Sequence, residues 1–285
     1  MFFIGLFCLL FSVFVGYLAI GGNIHILLKP SEWIIIIGAA IGSYIIANPL
    51  DVIKNMLKSL KSLNKKAPFN KNDYLQTLTF MFNFFKFSHA SGLVELENHI
   101  DNPEKSELFE RFPIINGQHN AKVFFCDYFR MMILGFEDSN ELENMMDNDI
   151  ESRKNHALNI PQSLIKIGDA LPALGIVAAV LGVITAMGSV GSDPSVLGPK
   201  IASALVGTFI GAFGAYGLVN PIGHFLTQFK ENEIKFLECI KSGIVAHING
   251  YPPSIAIEFA RQVIPTSYKP SFHEVEEEIE KYTLK

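Results

Sequence analysis

The sequence predicts an all-α integral membrane protein: four transmembrane helices, a large cytoplasmic helical insert between spans 2 and 3, and a helical cytoplasmic C-terminus. Three observations carry this. Long apolar runs occupy residues 1–24, 33–50, 170–190 and 201–229, and the last two contain no Asp, Glu, Lys or Arg. About 20 apolar residues suffice to cross ~30 Å of hydrocarbon as a helix. Between the runs the apolar residues recur at helical spacing, with no alternating β pattern. Finally, of 23 Lys and Arg, 14 fall between Asp51 and Gly168 and seven after Phe229, leaving only Lys29 and Lys200 near the other two loops. Positive charge collects on the cytoplasmic side, so both termini are expected inside. Composition agrees: 49% hydrophobic residues over 285 is too apolar for an ordinary soluble domain, and 18% charged is too polar for a chain wholly in lipid. Four segments follow: a transmembrane hairpin (1–50), a cytoplasmic helical region (51–168), a second hairpin (169–229) and a cytoplasmic C-terminal region (230–285).

The first run competes with a cleaved signal peptide, which needs a Lys- or Arg-bearing start. That start is missing and a second apolar run follows within a few residues, so a retained hairpin fits better. Trp33 suits a membrane interface. Gly38, Ala39 and Gly42 offer a close-packing face. After Asn48-Pro49, Val52, Ile53, Met56, Leu57, Leu60 and Leu63 alternate with Lys54, Lys58, Lys61, Lys65 and Lys66, the pattern of a basic amphipathic helix at a membrane surface.

Three apolar stripes mark the insert as a helical bundle: Leu75, Leu78, Phe82 and Phe85; Val123, Cys126, Met132 and Ile133; Leu142, Met145, Met146 and Ile150. Asn102-Pro103 reads as a capped helix start, and Asn140 with Glu143 as a capping box. Lys86, His89, Glu95 and Glu97 surround Gly92 with both signs of charge, as a solvated helix face does. Past the fourth span an interrupted amphipathic helix stops at Asn249-Gly250-Tyr251-Pro252-Pro253. A further helix and an acidic tail end the chain.

The second hairpin, Gly168 to Pro221, is the organising stretch. Each of its helices opens or closes on a proline, and they are joined by a polar turn at Ser192-Asp193-Pro194. Ser203, Gly207, Gly211 and Ala215 recur every four residues; Ala204, Thr208, Ala212 and Tyr216 lie beside them; Ala178, Gly182 and Ala186 answer on the first helix. Small-residue stripes let helix backbones approach closely. Asp169 and His224 sit near the hairpin ends and Asp193 in the turn, so no titratable group is expected deep in it and no carboxylate of the chain deep in the spans.

Enzyme chemistry finds no support. The eight histidines never pair at zinc spacing, and no nucleophile elbow, phosphate loop or intramembrane carboxylate pair occurs. No catalytic residue, metal site or cofactor is expected. A net charge of -5 without a basic aromatic patch disfavours nucleic acid. Cys8, Cys126 and Cys239 are too widely spaced for a disulfide framework or a metal knuckle, and read as buried fillers.

The run Gly168-Asp169-Ala170-Leu171-Pro172-Ala173-Leu174-Gly175-Ile176-Val177-Ala178-Ala179, with Val206-Gly207-Thr208-Phe209 and Ala215-Tyr216-Gly217, closely resembles the MotA family of flagellar motor stator subunits, within the MotA/TolQ/ExbB proton-channel superfamily. Pro30-Ser31-Glu32, Ile41-Gly42-Ser43, Glu97 to Pro103, Asn249-Gly250-Tyr251, Pro253 and Ile257-Glu258-Phe259 match in the same order, so the resemblance covers nearly the whole chain. It implies a stator A subunit in the bacterial inner membrane: five copies around two MotB-like B subunits, which supply a proton-carrying aspartate and a peptidoglycan anchor, driving the rotor protein FliG. On that resemblance 51–168 holds the rotor contact and 169–229 the ion channel. Pro172 and Pro221 match coupling prolines, Thr208 and Tyr216 match channel-facing positions, and Ala179 stands where sodium-driven relatives carry threonine, which implies a transported proton. Glu97 matches an acidic rotor-contact residue. His89 departs from the family, replacing the arginine of the enteric pattern, and Lys86 is expected to supply the charge. Two other readings stay open: a Tol- or Ton-type energiser subunit, and a non-energised membrane scaffold.

Overall fold

The computed structural model describes residues 2–60, 63, 69–136, 138–188, 191 and 194–283, and among them every regular element is helical. Helices α1 (Phe2–Ala19), α2 (Ile24–Leu27), α3 (Pro30–Ala47) and α4 (Leu50–Leu60) come first. Next are α5 (Lys71–Ser91), α6 (Leu93–Asp101), a 3-10 turn (Pro103–Lys105), α7 (Glu107–Glu110), α8 (Pro113–Gly117) and α9 (His119–Ile133). Then come α10 (Ser139–Met187), α11 (Pro194–Ala212), a π-helical stretch (Phe213–Val219), α12 (Asn220–Ile248), α13 (Pro253–Val263) and α14 (Phe272–Thr283). Four helical stretches, 2–19, 24–47, 139–187 and 197–248, are long and apolar enough to cross a membrane. The chain divides into two compact units, residues 1–65 with 157–228 and residues 66–156 with 229–285.

The first unit is organised by α10 against α11. Where they meet most closely the contact is glycine on backbone: a methyl group on Gly175 would lie 2.7 Å from the Gly207 carbonyl oxygen, and one on Gly211 2.6 Å from that of Leu171. Gly182 is equally tight against Ala204, and Ala178, Ala186, Ala204 and Ala215 are fully buried. The expected stripes therefore meet, with Gly175 an added member. On α3 the buried face is Glu32, Ile36, Ala40 and Tyr44, at four-residue spacing. The Tyr44 hydroxyl lies 3.0 Å from Ser163 Oγ, and Trp33 Nε1 donates to the Leu27 carbonyl at 3.1 Å. Gly38 and Gly42, expected to pack closely, have nothing within 4 Å. They lie on the opposite side of α3 from the buried register. No residue of α1 is buried, so Cys8 is exposed rather than a filler; Cys126 and Cys239 are buried, their thiols pushed up to about 12 by desolvation. Helix α4 is the expected amphipathic helix. Lys61, Lys65 and Lys66, like Ser192 and Asp193 of the turn, lie outside the described residues.

Proline does not end α10. Pro161 and Pro172 both lie inside it, each removing one backbone donor, and the 49 residues make one helix of about 74 Å. Likewise α12 is uninterrupted where a break was expected; it ends at Ile248, and Gly250 turns the chain at φ 81°. Just before Pro221 the helix widens into the π-helical stretch, which carries Tyr216.

The second unit is built on phenylalanine. Phe80 and Phe84 of α5, Phe109 of α7 and Phe125 and Phe129 of α9 are all essentially sealed from solvent. Several of their ring pairs sit edge to face, for example Phe84 and Phe125 at 4.8 Å and 87°, an arrangement the aromatic quadrupole favours. Leu142, Met146 and Ile150 join this core from the expected α10 stripe, while Met145 stays exposed. Of the α5 stripe, Leu78 and Phe85 are fully buried and Leu75 and Phe82 partly so. Helix α5 starts on a reciprocal capping box of Asn70 and Asp73, and α14 on one of Ser271 and Glu274. Two expected caps fail. Asn102 makes no side-chain cap bond and precedes only a 3-10 turn. Asp138, not Asn140, receives the first amides of α10, from Asn140 and Glu141 at 2.9 and 3.1 Å.

His247 lies within this core, stacked on Phe85 at 4.5 Å, with Nε2 3.2 Å from Ser88 Oγ. Burial, aided by the neighbouring His89, lowers its imidazole to about 4. An unfolded histidine titrates near 6.5, so between the two values the unfolded chain binds more protons. The contribution, about 3 kcal/mol, is complete above pH 6.5 and is lost as pH falls toward 4.

Two outcomes are expected. Gly211→Ala costs about 1–3 kcal/mol through forced separation of α10 and α11, lowering the melting temperature of detergent-purified protein, whereas Gly38→Ala leaves it unchanged. Equal melting of the two variants would remove the close-packing account. For the second unit, melting temperature drops between pH 6.5 and 5, and His247→Gln, which keeps a polar partner for Ser88, flattens that dependence. An unaltered pH slope in the variant would show that His247 is not its source.

Candidate functional site

The contact between α10 and α11 fixes which side chains can line a path. With Gly207 buried against Ala178 and the amide of Ala179 (3.1 Å from a methyl placed there), Thr208 and Ala179 come to the same level of the helix pair. Thr208 is exposed and Ala179 half-buried. Two turns on, Tyr216 projects from the π-helical stretch at 66% exposure. Pro221, also exposed, is the second residue of α12, and Pro172 is half-buried within α10. Around them α10 exposes Ile176, Val177, Val180 and Ile184. The result is an apolar face carrying the Thr208 and Tyr216 hydroxyls, with no Asp, Glu, Lys, Arg or His between residues 170 and 187 or 201 and 219.

Sequence reasoning missed two polar positions beside this face. At one end, Asn220 Nδ2 donates to Asp169 Oδ1 at 2.7 Å, and Gly168 leaves room for the Asn220 side chain. The other is a carboxylate in the first turn of α3, at the mouth of the first hairpin. Glu32 is only 5% exposed, with its carboxyl bonded by the Ser203 hydroxyl and Oε2 3.2 Å from where a Gly207 side chain would begin. That Oε2 has no hydrogen-bond partner among the described residues. The signal was present: Glu32 falls in register with Ile36, Ala40 and Tyr44, the buried face of α3.

In the other unit, Lys86 and His89 occupy the last turns of α5 and Glu97 lies on α6, across Gly92, whose φ of 81° breaks the two helices apart. All three are exposed. The His89 ring meets that of His247 edge-on at 5.0 Å, so the histidine is braced by the core beneath it. Among the described residues no three His, Cys, Asp or Glu side chains are grouped to hold a metal.

Comparison with known proteins identifies this arrangement. Residues 3–92 match the motility protein A N-terminal model and residues 118–239 that of the MotA/TolQ/ExbB proton channel family. Motility protein A of Escherichia coli (strain K12) is 39% identical over 276 residues, covering 97% of this chain and 94% of that protein. Chemotaxis protein LafT of Vibrio parahaemolyticus is 34% identical over 274 residues, covering 96% of each. Among solved structures, C. jejuni MotAB superposes with a TM-score of 0.76 at 23% identity, covering 93% of this chain and 95% of that one. The flagellar MotAB stator complex from Bacillus subtilis gives 0.73 at 22%, covering 96% and 97%. The two structures share the fold; the 39% identity over almost the full length settles kinship, and the chain belongs to the motility protein A family.

Proposed function

We propose that the chain is the A subunit of a proton-driven flagellar stator, multi-pass in the bacterial inner membrane with both termini cytoplasmic. Five copies surround two MotB-like B subunits, and the ring pushes the rotor protein FliG. Residues 1–50 and 169–229 form the spanning hairpins, with 51–168 and 230–285 in the cytoplasm. The observation that carries the reading is the exposed face of α10 and α11, which offers Thr208 and Tyr216 hydroxyls and no ionisable group. Such a face needs the titrating carboxylate from a partner, and the solved relatives are complexes named MotAB. Moving one charge through 100 mV releases about 2.3 kcal/mol, several times thermal energy. Pro172 and Pro221, which lack backbone donors, are the coupling positions where helix geometry adjusts. The ion is a proton because Ala179 presents a methyl beside Thr208, and sodium needs several oxygen ligands.

Deleting the gene is expected to abolish swimming while leaving filaments intact, and its return restores motility that collapses with a protonophore and ignores external sodium. Swimming that survives deletion would overturn the stator reading; sodium-dependent, protonophore-resistant swimming would overturn the ion.

Rotor contact is assigned to Lys86 and Glu97, with His89 secondary. Exposed charges of this kind steer and register an interface, and Lys86, three residues before His89, shares its helix face. Lys86→Glu therefore reduces recruitment of fluorescent stators to the motor more than His89→Ala does, and His89→Arg is nearly neutral. Loss of recruitment in His89→Ala with none in Lys86→Glu would reverse the assignment.

A further inference from the structure

Glu32 is a poor choice for a helix clamp. Burying a carboxylate is costly, and a serine or asparagine at this position would satisfy Ser203 at lower cost. Here one oxygen is left without a partner among the described residues, although the residue is 95% buried. The geometry gives that oxygen a direction. Oε2 lies 3.2 Å from the point where a Gly207 side chain would begin, a point itself 3.1 Å from Ala178 Cβ and from the amide nitrogen of Ala179, and one residue from Thr208. At its other end Glu32 lies in the first turn of α3, three residues after Lys29 and beside Trp33, at the mouth of the hairpin. The carboxyl thus links the mouth to the level of the hydroxyl-bearing face. The charged and titratable groups on the elements around it are Lys29 ahead of α3, His25 on α2 and Lys200 on α11, while α10 offers only alanines at this level.

We propose that Glu32 is a proton-relay residue in the outer half of the ion path, an inference that rests on the stator reading above. Its carboxylate takes a proton from external water on Oε2 and becomes neutral. It then hands that proton to the carboxylate contributed by the B subunit, returning to the anion; no other bond forms or breaks. A relay matters most when protons are scarce, because abundant hydronium can reach the partner carboxylate directly.

The test is single-motor rotation speed at external pH 6 to 8 in cells carrying the full A and B complex, with membrane level and motor recruitment followed in the same strains. Glu32→Gln keeps size and hydrogen bonding to Ser203 but cannot relay. It is expected to slow rotation several-fold at normal membrane level and recruitment, with the deficit growing toward pH 8, and Glu32→Asp is expected to restore part of the speed. Wild-type speed at every pH in Glu32→Gln would overturn the relay. So would a variant whose speed per recruited unit is normal but whose membrane level falls, which marks a packing role. A wild-type motor indifferent to protonophore would instead overturn the proton as the ion, and rotation that survives deletion of the gene would overturn the stator reading itself.

Discussion

Contact of backbone on backbone between α10 and α11, at Gly175, Gly207 and Gly211, is the constraint on which the spanning unit depends. In lipid no hydrophobic force draws helices together, so association relies on close van der Waals packing and on satisfying polar groups internally. Confining the seam to glycine and alanine brings the axes close enough that outward-facing residues are fixed in level and direction. Thr208 and Ala179 are neighbours across the pair for this reason, and Glu32 reaches the crossing only because position 207 carries no side chain. A bulkier seam would keep the four long apolar helical stretches while losing the register of the face.

That seam was legible in the sequence because its period is short and its residues are few in kind: small side chains every four positions admit one helical reading. The phenylalanine core was only partly legible. Leu78 and Phe85 fell on the expected stripe, but Phe80, Met81 and Phe84 are equally buried, because α5 is covered on several sides by α6, α13 and α14 and a helix packed all round loses its amphipathic signal. Gly38 and Gly42 misled for the opposite reason: glycine permits close packing without requiring it, and no partner lies opposite them.

Caps misled because they depend on backbone geometry rather than residue type. Asn102 has a conformation outside the extended region usual for a cap, so its side chain cannot reach the following amides. Glu32 fell just outside the second apolar run, which begins at Trp33, although its four-residue register with Ile36 placed it on the buried face of α3. The π-helical stretch has no signature apart from the proline that follows it, and such widenings concentrate at functional positions.

The placement of carboxylates has an energetic logic. From the level of Ala178 to Asp169 is nine residues of α10, roughly 13 Å at 1.5 Å per residue. Over that distance the exposed face carries hydroxyls and hydrocarbon alone. A carboxylate standing on the face itself would bind a passing proton or repel a partner carboxylate. In a medium of low dielectric such an interaction reaches several kcal/mol, more than the ~2.3 kcal/mol that one charge releases over 100 mV, so each station would become a trap. Hydroxyls orient a proton without holding it. Glu32, set behind Gly207 rather than on the face, and Asp169, tied to Asn220 at the far end, leave the stretch between them smooth enough for that small driving energy to move a helix past it.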